Sequence, residues 1–244
     1  MEFKDKTIRK LKKGIRKLGI PIVAIWFDSA QNWCQEVMRK IAPLVDLNIP
    51  IDFTSAWKET GYSASRFLPM WTPQDPRIFC NPGFPRTINI SFLGSLANRP
   101  ERVQGLAALE KAGLQVLQTG GQREKPIPIT DYARILMQSK IALNFSNPLP
   151  HCQAKGRIFE VTLCAALLLE SKNPETRKWF QPMVDYIEFE NEKDLVEKAR
   201  YYLHYQEERT AVAMRGHEKA KSLYEASRFW KILLNRVGLL PLGG

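Results

Sequence analysis

Two cations and a carboxylate are closely spaced near the middle of the chain. Residues 155–160 read Lys-Gly-Arg-Ile-Phe-Glu and lead directly into the apolar segment 161–169. This change from polar to apolar residues predicts that a buried helix begins here. A helix N-terminus binds anions through its free N–H groups and partial positive charge, and Lys155 and Arg157 would add full charges. The stretch therefore indicates a phosphate site.

Glu160 follows Arg157 by three residues, so the two side chains share one face of the predicted helix. A carboxylate there can accept hydrogen bonds from sugar hydroxyls, and a ribose joined to a diphosphate would suit the arrangement. A second interpretation needs no ligand, because Glu160 can pair with Arg157 and close the first helical turn. Spacing alone leaves both interpretations open.

A second candidate phosphate loop follows an earlier predicted strand. Residues 94–99 read Gly-Ser-Leu-Ala-Asn-Arg and precede a predicted helix. Glycine lets a phosphate approach the backbone closely, and Arg99 can bind it bidentately. The loop matches neither G-x-G-x-x-G nor the Walker pattern, so taken alone it is a weak signal and an ordinary glycine turn is the favoured interpretation. The candidates at or just past predicted strand ends are Gly94, Ser95, Gly120, Gly121, Asn144 and Lys155.

Two further polar residues are candidates outside these loops. Asp28 ends the first predicted strand, where it would serve as a helix N-cap or as a catalytic carboxylate toward the acceptor. His151 lies four residues before Lys155 and is a further candidate donor-binding residue. The sequence shows no Ser-His-Asp ordering and no metal-ligand cluster, so neither a hydrolase nor a metalloenzyme is indicated.

The elements that must position these residues alternate between strand and helix patterns. This order is typical of a doubly wound α/β protein, in which ligands bind at the carboxyl ends of the strands. The predicted strands are 21–27, 49–53, 67–71, 87–93, 114–117 and 141–145. The predicted helices are 31–45, 100–112, 132–139, 157–169, 194–206, 207–224 and 230–237.

A proline-rich stretch without apolar periodicity divides the chain. Residues 73–86 are the predicted linker. The expected domains are an N-terminal Rossmann-like half at 1–72, a second Rossmann-like half at 87–228, and a C-terminal helix and tail at 229–244. Both halves are expected to hold parallel sheets. The first is short for such a domain and therefore looks reduced or truncated.

The net charge of +11 over 244 residues is concentrated at the N-terminus. Residues 1–20 contain eight Lys or Arg against Glu2 and Asp5, a net +6, which leaves +5 for the rest. The segment 3–18 has the spacing of a basic amphipathic helix, either solvated with one packed face or lying on an anionic membrane. The rest lacks the spread charge and aromatics of a nucleic-acid binder.

The apolar runs and the cysteines indicate neither a membrane-spanning nor a disulfide-rich protein. No apolar run approaches the eighteen residues that span a bilayer, and no signal-peptide pattern occurs, so we expect a cytoplasmic protein. Contact of residues 1–20 with the inner face of the membrane is the open alternative. Cys34, Cys80, Cys152 and Cys164 are scattered, which favours neither a zinc site nor a disulfide framework.

Several of these runs together resemble a known family. The residues are Lys155-Gly-Arg157, Phe159-Glu160, the run 167–170, Phe180 and Asp194-Leu195, preceded by Phe92-Leu-Gly-Ser95, Arg99 and the strand 139–144. They resemble the C-terminal half of GT-B glycosyltransferases, above all the family-4-like bacterial group that includes spore-maturation-type proteins. The resemblance covers about residues 86–237 well and 20–75 loosely.

The resemblance implies a hexosyltransferase-like enzyme that uses a nucleotide-sugar as substrate, without a cofactor or an essential metal. Glu160 would bind the ribose hydroxyls, while Arg99, Lys155 and Arg157 would hold the diphosphate. The acceptor would be a glycan, lipid or protein. Typical members carry another glutamate eight residues before Glu160, where this chain has Cys152. A binding or structural protein that keeps the donor domain is therefore the alternative.

Overall fold

The computed structural model describes residues 10, 13–15, 17–120, 127–147 and 151–240. It divides into two compact units. The first unit comprises residues 1–72, 147–154 and 227–244, and the second comprises 73–146 and 155–226. The predicted linker 73–86 thus belongs to the second unit, and the C-terminal helix belongs to the first. Most of the predicted basic helix 3–18, and Gly121, lie outside the described residues.

The first unit is built on two parallel strands joined by a helix. Strand β1 (Val23–Trp26) pairs with β2 (Leu47–Pro50), and helix α1 (Asn32–Ile41) connects them. Helix α1 buries Cys34, Met38 and Ile41 in the core of this unit, whereas Trp33, which the apolar spacing also predicts to be packed, is exposed. Pro43 lies in the short 3-10 helix Ala42–Leu44 that follows, so α1 ends before the predicted residue 45.

The predicted strand 67–71 is wrong, although Phe67 itself has an extended backbone. Only Phe67 forms a ladder bridge, with Asn48 of β2, and Leu68 N–H donates to the Asn48 carbonyl. The short 3-10 helices Ala56–Thr60 and Ala64–Arg66 precede this segment, and helix α7 (Ala226–Arg236) packs on it through Phe229 and Trp71, whose ring centroids are 5.8 Å apart. Burial of Trp71 therefore depends on packing and not on sheet pairing.

The second unit holds a five-stranded parallel sheet in the order β4-β3-β5-β6-β7. Chain order and sheet order differ, because β4 and β5 lie on opposite sides of β3. The sheet thus has a topological switch point beside β3, where open α/β sheets bind ligands. The strands are β3 (Ile88–Leu93), β4 (Val116–Thr119), β5 (Ser139–Asn144), β6 (Leu167–Ser171) and β7 (Ile187–Phe189).

Helices cover this sheet and supply its crossovers. They are α2 (Pro100–Lys111), α3 (Ile129–Gln138), α4 (Gly156–Leu163), α5 (Glu192–His204) and α6 (Gln206–Leu223), with the 3-10 helix Thr176–Lys178 between β6 and β7. The core is aromatic at its centre, where Phe145 packs edge-on against Phe92 at 5.3 Å and Phe189 at 5.6 Å. The predicted α/β class with parallel sheets is confirmed.

The predicted helix 157–169 is wrong in its second half. Helix α4 ends at Leu163, Ala165 takes a left-handed φ of 52°, and residues 167–171 form β6. Strand β6 is buried on both faces between β5 and β7, and such central parallel strands read as continuous apolar runs. Periodicity alone does not separate such a strand from a buried helix. Among the described residues no helix has the length and apolarity needed to cross a membrane.

Candidate functional site

Two glycines lie side by side where β3 and β4 end. The Gly94 N–H donates to the Thr119 carbonyl at 2.8 Å, and the Gln118 side-chain amide donates to the Gly94 carbonyl. Gly120 has a φ of +91°, and a Cβ on it would lie 3.3 Å from the Gly94 nitrogen. Glycine at these positions therefore lets the two strand ends meet. The result is a backbone surface without side chains at the switch point.

Arg157 lies against this surface. A Cβ on Gly94 would be 2.8 Å from its Nη2, so the absence of a side chain at residue 94 makes room for the guanidinium. Nη1 donates to Asn144 Oδ1 at 3.0 Å, and the guanidinium carbon lies 5.4 Å from the centroid of the Phe92 ring. The ends of β3 and β5 thus fix one cation beside the glycine backbone.

A second arginine, Arg102 of α2, lies close to the first. Its guanidinium carbon is 5.7 Å from the centroid of the same Phe92 ring, and its Nη1 donates to the Ser95 carbonyl at 2.7 Å. Burial, and then the charges of Arg157 and Arg99, lower the pKa of Arg102 to about 10, an effect that Glu101 opposes. Three like charges are therefore crowded together, and a bound anion would relieve their repulsion.

The N-terminus of α4 adds to this positive potential. Lys155 is the N-cap residue in an extended conformation, and its side chain does not cap the helix. The first N–H groups of this eight-residue helix follow directly, at Gly156 and Arg157. We call Arg99, Arg102, Lys155 and Arg157 the cation cluster. A dense group of cations with helix N–H groups suits a doubly charged phosphate group.

Glu160 lies one turn further along α4 and is held by two neighbours. Tyr132 of α3 donates its hydroxyl to Oε2 at 2.5 Å, and the Gln74 amide donates to Oε1 at 3.4 Å. Burial raises the pKa of Glu160, while the Tyr132 hydroxyl and the Arg157 charge oppose that rise. The carboxylate keeps lone pairs for further donors, such as a pair of ribose hydroxyls.

The interpretation in which Glu160 pairs with Arg157 is wrong. Glu160 accepts from Tyr132 and Gln74, while Arg157 donates to Asn144. Within the described part of the chain no ion pair joins the two, although the Tyr132 hydroxyl lies near both. The reason is the register of the packing: Tyr132 of α3 reaches Glu160, whereas Arg157 turns toward the sheet. The two side chains are thereby held separately.

The remaining predicted residues of this unit lie in the loop between β3 and α2. Ser95 Oγ accepts from the Ala97 N–H at 3.1 Å and Asn98 has a φ of 56°, so the loop turns tightly. Arg99 is the N-cap residue of α2 and is half-buried. The structure thus gathers the predicted donor residues of the second unit at one edge of its sheet: Gly94, Ser95, Arg99, Gly120, Asn144, Lys155, Arg157 and Glu160.

Asp28 and His151 belong to the first unit. Asp28 is exposed with a left-handed φ of 53°, and it is not the N-cap of α1, since Gln31 holds that position. Its Oδ1 accepts from the Gln153 amide at 3.2 Å. His151 Nδ1 lies 2.7 Å from the Ala30 carbonyl oxygen. A left-handed φ in an aspartate is strained, which is common at functional positions.

A buried carboxylate supports the Asp28 loop. Asp52 accepts hydrogen bonds from the Ser29 backbone and hydroxyl, and its Oδ2 accepts from Gln153 Nε2 at 3.0 Å. Ser29, Asp52 and Gln153 are all buried. Gln153 therefore bonds both Asp28 and Asp52, and one buried amide fixes the loop that carries Asp28.

Four residues of these sites are not among those predicted from the sequence. Gln74 and Tyr132 contact Glu160, Arg102 joins the cation cluster, and Gln153 orients Asp28. Arg102 is three residues after Arg99, so its place on the same helix face was a usable signal. Over the described ranges, no group of three or more His, Cys, Asp or Glu side chains is placed to hold a metal.

Comparison with known proteins gives both a family and a fold. The family model described as glycosyl transferase-like matches residues 91–235. The comparison with curated protein sequences finds no match. Among solved structures, HepE from Anabaena in complex with UDP and glucose is similar with a TM-score of 0.72 and 12% identity, over 97% of this chain and 76% of that chain.

Two other solved structures are similar with lower TM-scores. A glycosyltransferase from Rickettsia africae has a TM-score of 0.62 and 9% identity, over 98% of this chain and 82% of that chain. Sucrose-phosphate synthase from Thermosynechococcus elongatus has a TM-score of 0.59 and 11% identity, over 86% of this chain and 63% of that chain. At these identities the likeness concerns the fold.

Proposed function

Because the chain belongs to the glycosyl transferase-like family and has the GT-B fold that its sequence predicts, we propose that it transfers a sugar from a nucleotide-sugar donor to a glycan, lipid or protein acceptor. The observation that carries the proposal is the cation cluster beside Gly94. The guanidiniums of Arg102 and Arg157 lie within 6 Å of one phenylalanine ring, and their charges are crowded. A diphosphate supplies the negative charge that such a site favours.

The donor would bind with its diphosphate on the cation cluster and its ribose at Glu160. Departure of the nucleoside diphosphate builds negative charge on the phosphate oxygen as the bond to the anomeric carbon breaks. Arg99, Lys155 and Arg157, with the N-terminus of α4, would stabilise that charge. HepE is described in complex with UDP and glucose, so UDP is the first nucleotide to test.

We further propose that the transfer is metal-independent. The cation cluster supplies up to four positive charges where a diphosphate would lie, and preorganised cations can stabilise the leaving group without a further ion. Turnover of a UDP-sugar in excess EDTA should then equal turnover with added Mg²⁺. Activity that disappears with EDTA and returns with Mg²⁺ would refute this part of the proposal.

On the acceptor side, Asp28 is our candidate for the carboxylate that orients an acceptor hydroxyl. It is exposed, strained and supported by the Gln153 amide, which together describe a preorganised polar group. Asp28→Asn should lower kcat for transfer while leaving the affinity for UDP within about twofold, since the donor residues lie in the other unit. An unchanged kcat would remove Asp28 from the mechanism.

Calorimetric titration with UDP, GDP and ADP tests the donor site directly. We expect one of the three to bind the wild-type chain, and Glu160→Gln and Lys155→Ala each to weaken it by about tenfold. The matched control is Glu197→Gln, an exposed glutamate on α5. If the wild-type chain binds none of the three nucleotides, the donor-site proposal fails.

A second candidate function is nucleotide-sugar binding without turnover. It is favoured by Cys152, which stands where typical family-4 enzymes carry a glutamate and is buried, with its thiol directed to the Asn147 carbonyl at 3.2 Å. Binding of UDP without consumption of UDP-sugars across a panel of acceptors would support this candidate. Measured transfer, or steady hydrolysis of a UDP-sugar, would exclude it.

The basic N-terminus motivates one proposal about partners. Residues 1–20 carry a net charge of +6, which favours contact with anionic lipid headgroups at low ionic strength. The chain should co-sediment with vesicles containing phosphatidylserine and not with neutral vesicles, and deletion of residues 1–20 should abolish this. Equal binding by the deleted chain would contradict membrane contact through this segment.

A further inference from the structure

Asn144 is completely buried at the end of β5, between a cation and an acid. Its Oδ1 accepts from Arg157 Nη1 at 3.0 Å, and its Nδ2 donates to Glu170 Oε1 at 2.7 Å. Asn144 and Glu170 are paired residues of adjacent strands, so the sheet register itself places them together. The amide thus has one orientation, with its oxygen toward Arg157 and its nitrogen toward Glu170.

Glu170 is also completely buried, and its two oxygens differ. Oε1 accepts from Asn144 and, at 3.2 Å, from Asn173 Nδ2, whereas Oε2 has no partner among the described residues. The Thr176 hydroxyl lies close enough to this carboxyl to oppose the rise in its pKa that burial causes, although neither that hydroxyl nor Oε2 forms a hydrogen bond of ordinary geometry among the described residues. A protonated carboxyl fits this environment, because its O–H can donate to an oxygen while Oε1 still accepts.

We infer that Glu170 and Asn144 are positioning residues, which hold the Arg157 guanidinium on the Gly94 backbone in the orientation that binds the donor diphosphate. The inference deepens the proposed function and rests on it. Glu170 acts through Asn144, and neither residue touches the donor itself. The structure supports it with an unbroken row of hydrogen bonds from Asn173 through Glu170 and Asn144 to Arg157.

Removal of Glu170 would release the Asn144 amide. The amide could then rotate and present its nitrogen to Arg157. Two hydrogen-bond donors would then face each other, and the amide would repel the guanidinium. The Arg157 side chain has little room to move, because its Nε is buried without a hydrogen-bond partner among the described residues and its Nη2 lies against Gly94. A displaced guanidinium would no longer match a phosphate bidentately.

The test compares the affinities for UDP and uridine, measured by calorimetry. Glu170→Leu should weaken UDP binding by about tenfold, because one charge-assisted contact is lost, and leave uridine within about twofold. Glu170→Gln keeps an acceptor toward Asn144 and a donor toward Thr176, so it should restore UDP affinity to within about twofold. A purely structural role predicts equal losses for UDP and uridine in Glu170→Leu, which would overturn the inference.

A double-mutant cycle with Arg157→Ala provides an independent test. If Glu170 acts through Arg157, Glu170→Leu should cause no further loss of UDP affinity once Arg157 is absent. An additive loss would also overturn the inference. Asn144→Ala should reproduce the UDP-selective loss, which covers the case in which Glu170→Leu fails to fold; equal losses for UDP and uridine would again refute the positioning role.

The two proposals fail in different ways. If the wild-type chain binds neither UDP, GDP nor ADP, the proposed function fails before the variants are measured. If UDP binds tightly but the ratio of UDP to uridine affinity is the same in wild type, Glu170→Leu and Asn144→Ala, the positioning role fails and the donor site stands.

Discussion

The two units each bury a carboxyl close to the carboxyl end of a parallel strand, yet they satisfy it differently. In the first unit both Asp52 oxygens accept hydrogen bonds, from Ser29 and from Gln153. In the second unit Glu170 receives bonds on one oxygen alone. The surrounding charges differ too: Asp52 lies near Asp28, whereas the Glu170 row ends at Arg157.

This difference shows how environment sets the role of similar side chains. A carboxylate with donors on both oxygens is a rigid support, because each bond fixes a neighbouring loop. A buried carboxyl with one open oxygen favours its neutral form, since burial without donors penalises charge. In the first unit the buried carboxylate therefore fixes the loop at Asp28. In the second unit the Glu170 carboxyl favours its neutral form and lies behind the cation cluster.

The largest expected effect concerns the protonation of Glu170. Burial raises the pKa of Glu170 to about 7 from an ordinary 4.5, and nearby Glu188 adds to the rise. The folded state keeps this proton where the unfolded chain releases it, so the free energy of unfolding should fall as pH rises from about 4.5 to about 7. The size is on the order of 3 kcal/mol.

Urea denaturation between pH 4 and pH 8 measures this dependence. Glu170→Gln, which cannot ionise, should lose this part of the slope and be more stable than the wild-type chain at pH 8. A wild-type slope that persists unchanged in Glu170→Gln would show that another group carries it.

The second-largest expected effect concerns Arg157 of the cation cluster. Arg157→Ala should weaken UDP binding by about 30-fold, because a buried charge-assisted contact to phosphate is worth about 2 kcal/mol. Uridine binding should stay within about twofold. Arg134→Ala, which removes an exposed arginine from α3 of the same unit, is the matched control and should leave both affinities unchanged.

Asp52→Asn tests the other side of the comparison. The new amide nitrogen replaces one of the two oxygens and so faces either the Ser29 donors or the Gln153 amide, and the chain should lose about 1–2 kcal/mol of stability. UDP affinity should stay within about twofold, because Asp52 belongs to the first unit and the cation cluster belongs to the second. Thermal denaturation and calorimetry on the same preparation distinguish the two results, and a marked loss of UDP affinity would contradict the assignment.

Gly94→Ala should give the smallest effect. The added Cβ would lie 2.8 Å from Arg157 Nη2, which is the flexible end of a side chain and can shift. We expect UDP binding to weaken by about fivefold, with little change in thermal stability, since one displaced charged contact costs about 1 kcal/mol. In the Arg157→Ala background the same substitution should weaken UDP binding by clearly less than fivefold, because the clash with Nη2 is gone and only the approach of the phosphate to the backbone is affected.

Much of the fold was predictable because its signals are local. The alternation of apolar runs and amphipathic segments gave β1, β3, β5 and most helices to within a few residues. Strand β6 was not predictable, since the run 161–169 is continuously apolar and suits a helix or a central strand. Only pairing with β5 and β7, which are distant along the chain, selects the strand.

The candidate site was predictable in its charges and not in its contacts. Arg157 and Glu160 stand out by residue type and spacing, and the structure places both at the ligand-binding edge of the sheet. Their partners could not be read from the chain: Tyr132 comes from α3, and Asn144 is oriented by Glu170, its paired residue on the adjacent strand. Such contacts depend on register, which composition and spacing do not specify.

By itself the sequence determined the residue types at the strand ends: glycines for close approach, cations for an anion and a carboxylate for hydroxyls. It also determined the α/β class, because the apolar periodicity of a helix or a strand depends only on residues close together in the chain. Tertiary structure alone decided that Arg157 turns to Asn144 and not to Glu160, and that Glu170 is buried behind them. The physical reason is that parallel strands align residues far apart in the chain, and their side-chain partners exist only once the sheet has formed.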